Sequence, residues 1–485
     1  MKKRIILLAL FIVAGEGISA QNIKAPKAKT TVSSSVAVNP AVQAFFQKAP
    51  TTLWTDNADE SWYNATTTEF TLTTPAQVAG LAKIVNAGND FTGKIVIFGN
   101  DMDFGAHLWM PIGKGYLFPF SGTVKGNNKT VSNIQIDLPA GDFVGFVGQM
   151  FKGKIENLIA DQVTVSGHDT VGSIVGNLST NSTMTNCHAK NVNISGTDFN
   201  VGGLVGGILT DSSISDSSAE GDVSGSSQVG GLVGTAWDKT SIARSYAKGT
   251  VTGQYIVGGF AGYSTMAFGP NRNNEVTDSY TRSNVVAMSE RVGGFYGGPE
   301  SNAVVTNVYS TGTVSNVSAS GGFAGFVANM SAANIYYDHT NAPIDAIGMF
   351  LAAPATYDIK AWTTKEMKTQ NLATSLNAGR ATAVWFYDAA KNDGYPTLAF
   401  EQALATSDYT SNTKIQVYPT VVTDFLTINS KEKNISYQVV DFSGRMLKSG
   451  TATDSKINLS SLANGNYMLV VQIGGQVSSH KFFKK

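Results

Sequence analysis

The sequence predicts an all-β chain: a parallel β-solenoid (β-helix) of coils about 28 residues long, with short capping helices and a small C-terminal immunoglobulin-like β-sandwich. Three observations carry this. VGGLVG stands at both 201–206 and 229–234, with variants VGFVG (144–148), VGSIVG (171–176), VGGFAG (257–262), VGGFYG (292–297) and SGGFAG (320–325). The final glycines, Gly148, Gly176, Gly206, Gly234, Gly262, Gly297 and Gly325, are 28, 30, 28, 28, 35 and 28 residues apart. After each glycine segment comes an apolar residue (Ile155, Met184, Ile214, Ile242, Val276, Val305), and a second column holds Asn157, Asn186, Asp216, Arg244, Asp278, Asn307 and Asn334. Lastly, 50 Gly and only 13 Pro among Ser, Thr, Asn and Val indicate tight turns between short strands. Like chemistry recurring at one slot is what stacked coils require, because each side chain lies ~4.8 Å over its counterpart.

The elements follow in order. Residues 1–20 read as a signal peptide: a basic start (Lys2, Lys3, Arg4), an apolar stretch from Ile5 to Ala14, and a small-residue exit that places cleavage between Ala20 and Gln21. That stretch is shorter than the ~20 residues of a membrane span, and no later stretch reaches it, so no transmembrane segment is expected. Residues 21–50 have the composition of a flexible leader. Residues 51–140 form an N-terminal cap and the first coils. Thr74 and Pro75 start a helix there, Val78, Leu81, Ala82 and Val85 stripe one face, and Gly88 ends it.

The repeats occupy 141–335. A 28-residue unit is too short for a propeller blade of ~40–45 residues but suits one solenoid coil, and the long gap places an insertion within 266–275. The motif glycines are expected to turn the backbone, take positive φ and let coils approach closely. Residues 336–400 make a C-terminal cap: Thr363 and Glu366 form a capping-box pattern for a helix reaching 379, followed by aromatic strands in 384–400. A linker at 401–412 leads to a domain at 413–485 of different texture. From Lys414 onward nine basic residues face four acidic ones, whereas 141–330 has nine against fourteen.

Two resemblances sharpen this. GLVG at 203–206 and 231–234, with GFVG, SIVG, GFAG and GFYG as looser copies, makes residues 94–330 resemble bacterial GLUG-repeat proteins. With the caps, the likeness spans about 62–400. It implies an exported surface or adhesin-type module, and some GLUG repeats accompany a peptidase. IQVYPTVVTDFLTI (415–428), VVDFSGRML (439–447), INLSSLANGNYMLVV (457–471) and the basic end HKFFKK are similar to a type IX secretion C-terminal sorting domain. Its landmarks here are Tyr418, Pro419, Asp441, Gly444, Gly465 and Tyr467, and YPT stands where the family often has Tyr-Pro-Asn-Pro. This implies engagement of the type IX machinery and a place at the outer-membrane surface or outside the cell.

Chemistry is sparse. Charged residues are 14% and the net charge is zero, which argues against nucleic acid as a partner. Carboxylates that could serve a glycosidase are Asp101 with Asp103, and Asp211, Asp216 and Asp222; such an enzyme needs two converging at ~5–10 Å. The alternative for each is a turn or corner hydrogen bond. Five histidines, none at metal-ligand spacing, and the lone Cys187 suggest no metal or other cofactor. Cys187 and His188 are adjacent on a strand and should point to opposite faces. The glycine segments are not followed by Lys-Ser/Thr and are no phosphate loop.

The candidate binding face is a column two positions past the Asn/Asp slot, where four consecutive coils place Tyr246, Tyr280, Tyr309 and Tyr336. Exposed, these rings would suit a glycan or an extracellular protein; the alternative is an internal aromatic ladder. The Asn/Asp column itself reads as a hydrogen-bonded ladder. The expectation is a non-catalytic, adhesin-like binding solenoid, with a polysaccharide lyase or glycosidase and a structural spacer as alternatives.

Overall fold

The computed structural model describes residues 50–265, 272–300, 303–315, 317–351, 357–402, 416–418, 421–429, 435–440, 446–452, 456–473 and 476–485. The expected signal peptide with its Ala20–Gln21 junction, the leader through residue 49, positions 266–271 of the insertion, and the landmarks Pro419, Asp441 and Gly444 lie outside the described residues.

Between Glu69 and Trp362 the strands pair in parallel, coil on coil, through about nine turns. One sheet takes a strand from each of eight coils in chain order, from Val147–Phe151 to Ile347–Phe350. A larger sheet of 20 strands forms the remaining sides. Register follows the repeat: Met184 pairs with Ile155 and Ile214, and Ile214 pairs with Ile242. The apolar residue inside each glycine motif (Phe146, Ile174, Leu204, Leu232, Phe260, Phe295, Phe323) is fully buried. Phe260 and Phe295 stack at 4.5 Å between centroids. Such pairs add about 0.5–1.5 kcal/mol to what burial alone supplies.

The motif glycines serve close approach and not positive φ, which corrects half of the expectation for them. None of the seven is left-handed. A Cβ on Gly234 would stand 2.4 Å from the Asn200 carbonyl carbon and 2.6 Å from the Gly206 oxygen, both backbone of the preceding coil. The left-handed turns fall instead to Asn157, Asn186, Asp216, Arg244, Asp278, Asn307 and Asn334, with φ between 46° and 58°. Asn and Asp tolerate that region best among residues with a Cβ. Their side chains form a ladder across coils: Asn186 donates to Asn157 at 2.8 Å, Asn334 to Asn307 at 2.8 Å, and Arg244 to Asp216 at 2.6 and 2.7 Å.

Helix α1 (Pro75–Asn86) packs at the N-terminal end, with the Thr74 side chain accepting from the Gln77 N–H and Val78, Leu81, Ala82 and Val85 fully buried. Near residue 370 the expected single helix is two, α2 (Thr364–Met367) and α3 (Gln370–Asn377). The capping box at Thr363 is present, but Lys368 and Thr369 leave helical geometry. The C-terminal domain is a sandwich of a three-stranded and a five-stranded sheet, mostly antiparallel, around Leu426, Ile428, Val439, Leu469 and Val471. Its landmark Tyr467 is buried and donates to the Ala463 carbonyl, Gly465 starts the strand to Ile473, and Tyr418 is half exposed.

Candidate functional site

The four tyrosines fall in one register coil on coil, as their column implies, but they are buried, so they form no exposed binding face. Tyr246, Tyr280, Tyr309 and Tyr336 are 5%, 0%, 0% and 2% exposed. Tyr246 lies 4.9 Å from Tyr280, and Tyr280 4.8 Å from Tyr309, with rings within 13° of parallel. What covers them is the chain's own segment 362–402. It does not simply close the end of the coil stack; it runs back along the side as a strap. Trp362 meets Tyr336, Trp385 sits against Tyr280 and Tyr309, and Phe400 reaches Tyr246 and His188.

Polar bonds fasten the strap. Arg380 makes a two-pronged bond to Asp278 at 2.6 and 3.0 Å, Arg282 bonds Asp393, and Tyr309 donates to the Pro396 carbonyl at 2.6 Å. Tyr280 donates to Glu401 at 2.9 Å. Burial raises the Glu401 carboxyl above its ordinary range, against the pull of Lys248.

Cys187 and His188 do face opposite ways. Cys187 is in the core, its thiol pushed up to about 12 by burial, which leaves it unreactive. His188 lies beneath Phe400, donates through Nε2 to the Asn186 side-chain Oδ1 at 3.0 Å, and accepts from the Ser218 hydroxyl at Nδ1 at 3.0 Å. Burial first, then Lys190, lowers its pKa to about 4, with Asp216 opposing. Since the unfolded state takes up the proton near pH 6.5 and the folded state only near 4, stability is complete above 6.5 and falls as pH drops toward 4. The loss amounts to about 3 kcal/mol. We expect His188→Gln to flatten the pH dependence of the melting temperature between 6.5 and 4 relative to the native chain; parallel curves would overturn this.

Each of the candidate carboxylates is held in a local bond. Asp101 accepts from the Thr130 N–H, Asp103 from the Gly105 N–H and Asn133, Asp211 pairs with Lys239, Asp216 with Arg244, and Asp222 accepts from the Thr250 N–H. Each serves its own corner.

A concave strip lies elsewhere, on the outer face of the eight-stranded sheet. Its floor is one position per coil, Asn177, Gly207, Thr235 and Tyr263, held in register by the sheet. One wall is the position two further on, Leu209, Trp237 and Thr265. The other wall is the left-handed corners Thr170, Asn200 and Gln228 with Asp169, closed at the N-terminal end by Phe143 and Tyr116. The groove holds about 270 Å³. Trp237 is 43% and Tyr116 67% exposed. Asn177 is 1% exposed; its amide donates to Gln149 at 2.8 Å, while its Oδ1 accepts no hydrogen bond from the protein. At the far end the Tyr263 hydroxyl donates to Glu300 and is pushed up to about 12, by burial first and this carboxylate next.

These residues follow the last glycine of each motif, in VGNLS, VGGIL, VGTAW and AGYST. The available signal was Trp237, an aromatic that follows Ser179 and Leu209 at the same slot of the two preceding coils.

Residues 416–485 match the secretion system C-terminal sorting domain family, and residues 197–224 and 225–252 match the GLUG motif. The chain is a GLUG-repeat solenoid with a secretion-system sorting tail. A stretch of 118 residues, 24% of the chain, is 34% identical to halomucin of Haloquadratum walsbyi and covers 1% of that much longer protein. Among solved structures, a Bacteroides ovatus protein described as a "putative immunoglobulin A1 protease" aligns over 71% of this chain and 94% of its own, at 18% identity and a TM-score of 0.45. The sorting tail directs this GLUG-repeat solenoid through type IX secretion to the cell surface or extracellular space, and through it the chain engages the type IX machinery. Among the described residues no helix is long and apolar enough to cross a membrane.

Proposed function

We propose that this chain is a non-catalytic, adhesin-like binding protein: a rigid solenoid, carried to the cell surface by its sorting tail, that holds an external macromolecule in the groove of its eight-stranded sheet. The observation that carries this reading is Trp237, large, apolar and 43% exposed in a groove lined also by polar side chains such as Asn200, Gln228 and Thr235. An exposed aromatic beside polar side chains suits a binding site, because covering the ring favours a ligand and the polar groups orient it.

The test is binding of the purified full chain to arrays of glycans and extracellular matrix proteins, beside Trp237→Ala. We expect at least a tenfold loss of signal in the variant at an unchanged melting temperature. Equal binding by the two proteins would remove the groove from the function.

A further inference from the structure

The groove's chemistry says more about its ligand, provided that it is the binding face. We infer that it takes an uncharged, extended polysaccharide, one sugar ring per coil over about four coils, in preference to an anionic glycan or a protein segment.

The first argument is spacing. Asn177, Gly207, Thr235 and Tyr263 lie in consecutive coils at the same register, so the floor repeats at one strand spacing, ~4.8 Å, and runs roughly 14 Å. A pyranose chain in an extended conformation advances by about the same step per ring. A ligand with that period meets like surroundings at each coil.

The second argument is the type of contact. Tyr116 and Trp237 offer flat faces to the apolar faces of sugar rings. Between them the groove presents hydroxyl and amide groups, with Thr235, Asn200 and Gln228 lining it. Sugar hydroxyls both donate and accept, which matches such a lining. Gly207 leaves room over the floor: a Cβ there would stand 3.2 Å from Asn177 Oδ1 and 3.1 Å from Leu209 Cδ1. In the neighbouring coils the same slot holds Asn and Thr, so the glycine lowers the floor between them.

The third argument is charge. The lining contains one carboxylate, Asp169, and no lysine or arginine. Asp142 and Asp198 stand close by, with His168 between them at 2.8 and 3.8 Å. A uronate or sulfate would meet like charge, and the lining offers no lysine or arginine to pair with it. The ligand is therefore neutral, and its affinity is indifferent to salt, since no ion pair forms for salt to screen.

The experiment is calorimetric titration of the full chain with neutral β-linked gluco-, xylo- and manno-oligosaccharides of two to six units, and with polygalacturonate and heparin fragments. We expect at least one neutral series to bind, tightening up to four units and then levelling, with less than a twofold change between 50 and 500 mM NaCl. Gly207→Leu, which fills the floor with side-chain contacts only, and Trp237→Ala should each weaken it at least tenfold without moving the melting temperature. Tighter binding of the anionic fragments, or affinity independent of chain length, overturns the inference. If the neutral sugars fail while a matrix protein binds and is lost in both variants, the glycan assignment falls and the surface-binding reading stands. If nothing binds, both fall.

Discussion

Tyr280→Ala is expected to lower the stability of the solenoid by roughly 3–5 kcal/mol, the usual range for deleting a large buried aromatic ring. Tyr280 is 0% exposed, with Tyr246 and Tyr309 stacked on its two sides and Trp385 against its edge. Its removal opens a cavity in the ladder and takes the hydroxyl donor from Glu401, which is already disfavoured as a charge by burial. Tyr280→Phe keeps the ring and removes only the donor, for about 1–3 kcal/mol. Urea unfolding followed by tryptophan fluorescence should rank native, Phe and Ala in that order. Protease should cut within 362–402 first in the alanine variant, because the strap has lost its anchor. An alanine variant that melts like the native chain would mean that the strap does not rest on the tyrosines in solution.

Gly234→Ala is expected to be at least as damaging, about 4 kcal/mol or more, the range reached only when a change cannot be absorbed locally. A glycine with ordinary φ in a strand would commonly gain about 0.4–1 kcal/mol on becoming alanine, because the unfolded chain loses freedom. Here the added Cβ would fall 2.4 to 2.6 Å from three backbone atoms of the previous coil, Asn200 C, Val201 N and Gly206 O. No side-chain rotation relieves that; the coils would have to separate. Gly207→Ala is the control, since the nearest atoms to its Cβ belong to the Leu209, Asn177 and Thr170 side chains at 3.1 to 3.5 Å. Chemical denaturation of the two variants should give a small change for Gly207→Ala and near-complete loss of folded protein for Gly234→Ala. Similar curves for both would refute close packing of the coils as the reason for the repeated glycine.

The repeat was legible because its cause is periodic. Ile214 meets Ile242 and Met184 because coils of 28 and 30 residues return the same position to the same face, so the near-regular spacing of like residues reports the stacking directly. Helix α1 was legible for a local reason: Thr74, Pro75 and the apolar stripe all fall within one twelve-residue helix and its cap. The sorting tail was legible through its own motifs. The position of the tyrosines was not. A column repeats at the coil period whether it faces the core, a cover or solvent, and period alone cannot choose among them.

That choice belongs to contacts distant in sequence. Segment 362–402 has no repeat to reveal its target, yet Arg380 bonds Asp278 and Phe400 stacks on His188, more than 100 and 200 residues away along the chain. The strap lies on the tyrosines because several unrelated pairs are satisfied at once, and such agreement exists only after the chain has folded. The groove arises in the same way: its floor is one column and its walls are two others, brought together by the curvature of each coil. The coil, its period, its core and its export address could be read from the sequence, since these depend on residues near one another or one repeat apart. Which aromatics are buried and which, like Trp237, stay partly exposed is settled only in the folded chain, because that depends on what else the chain lays over each face.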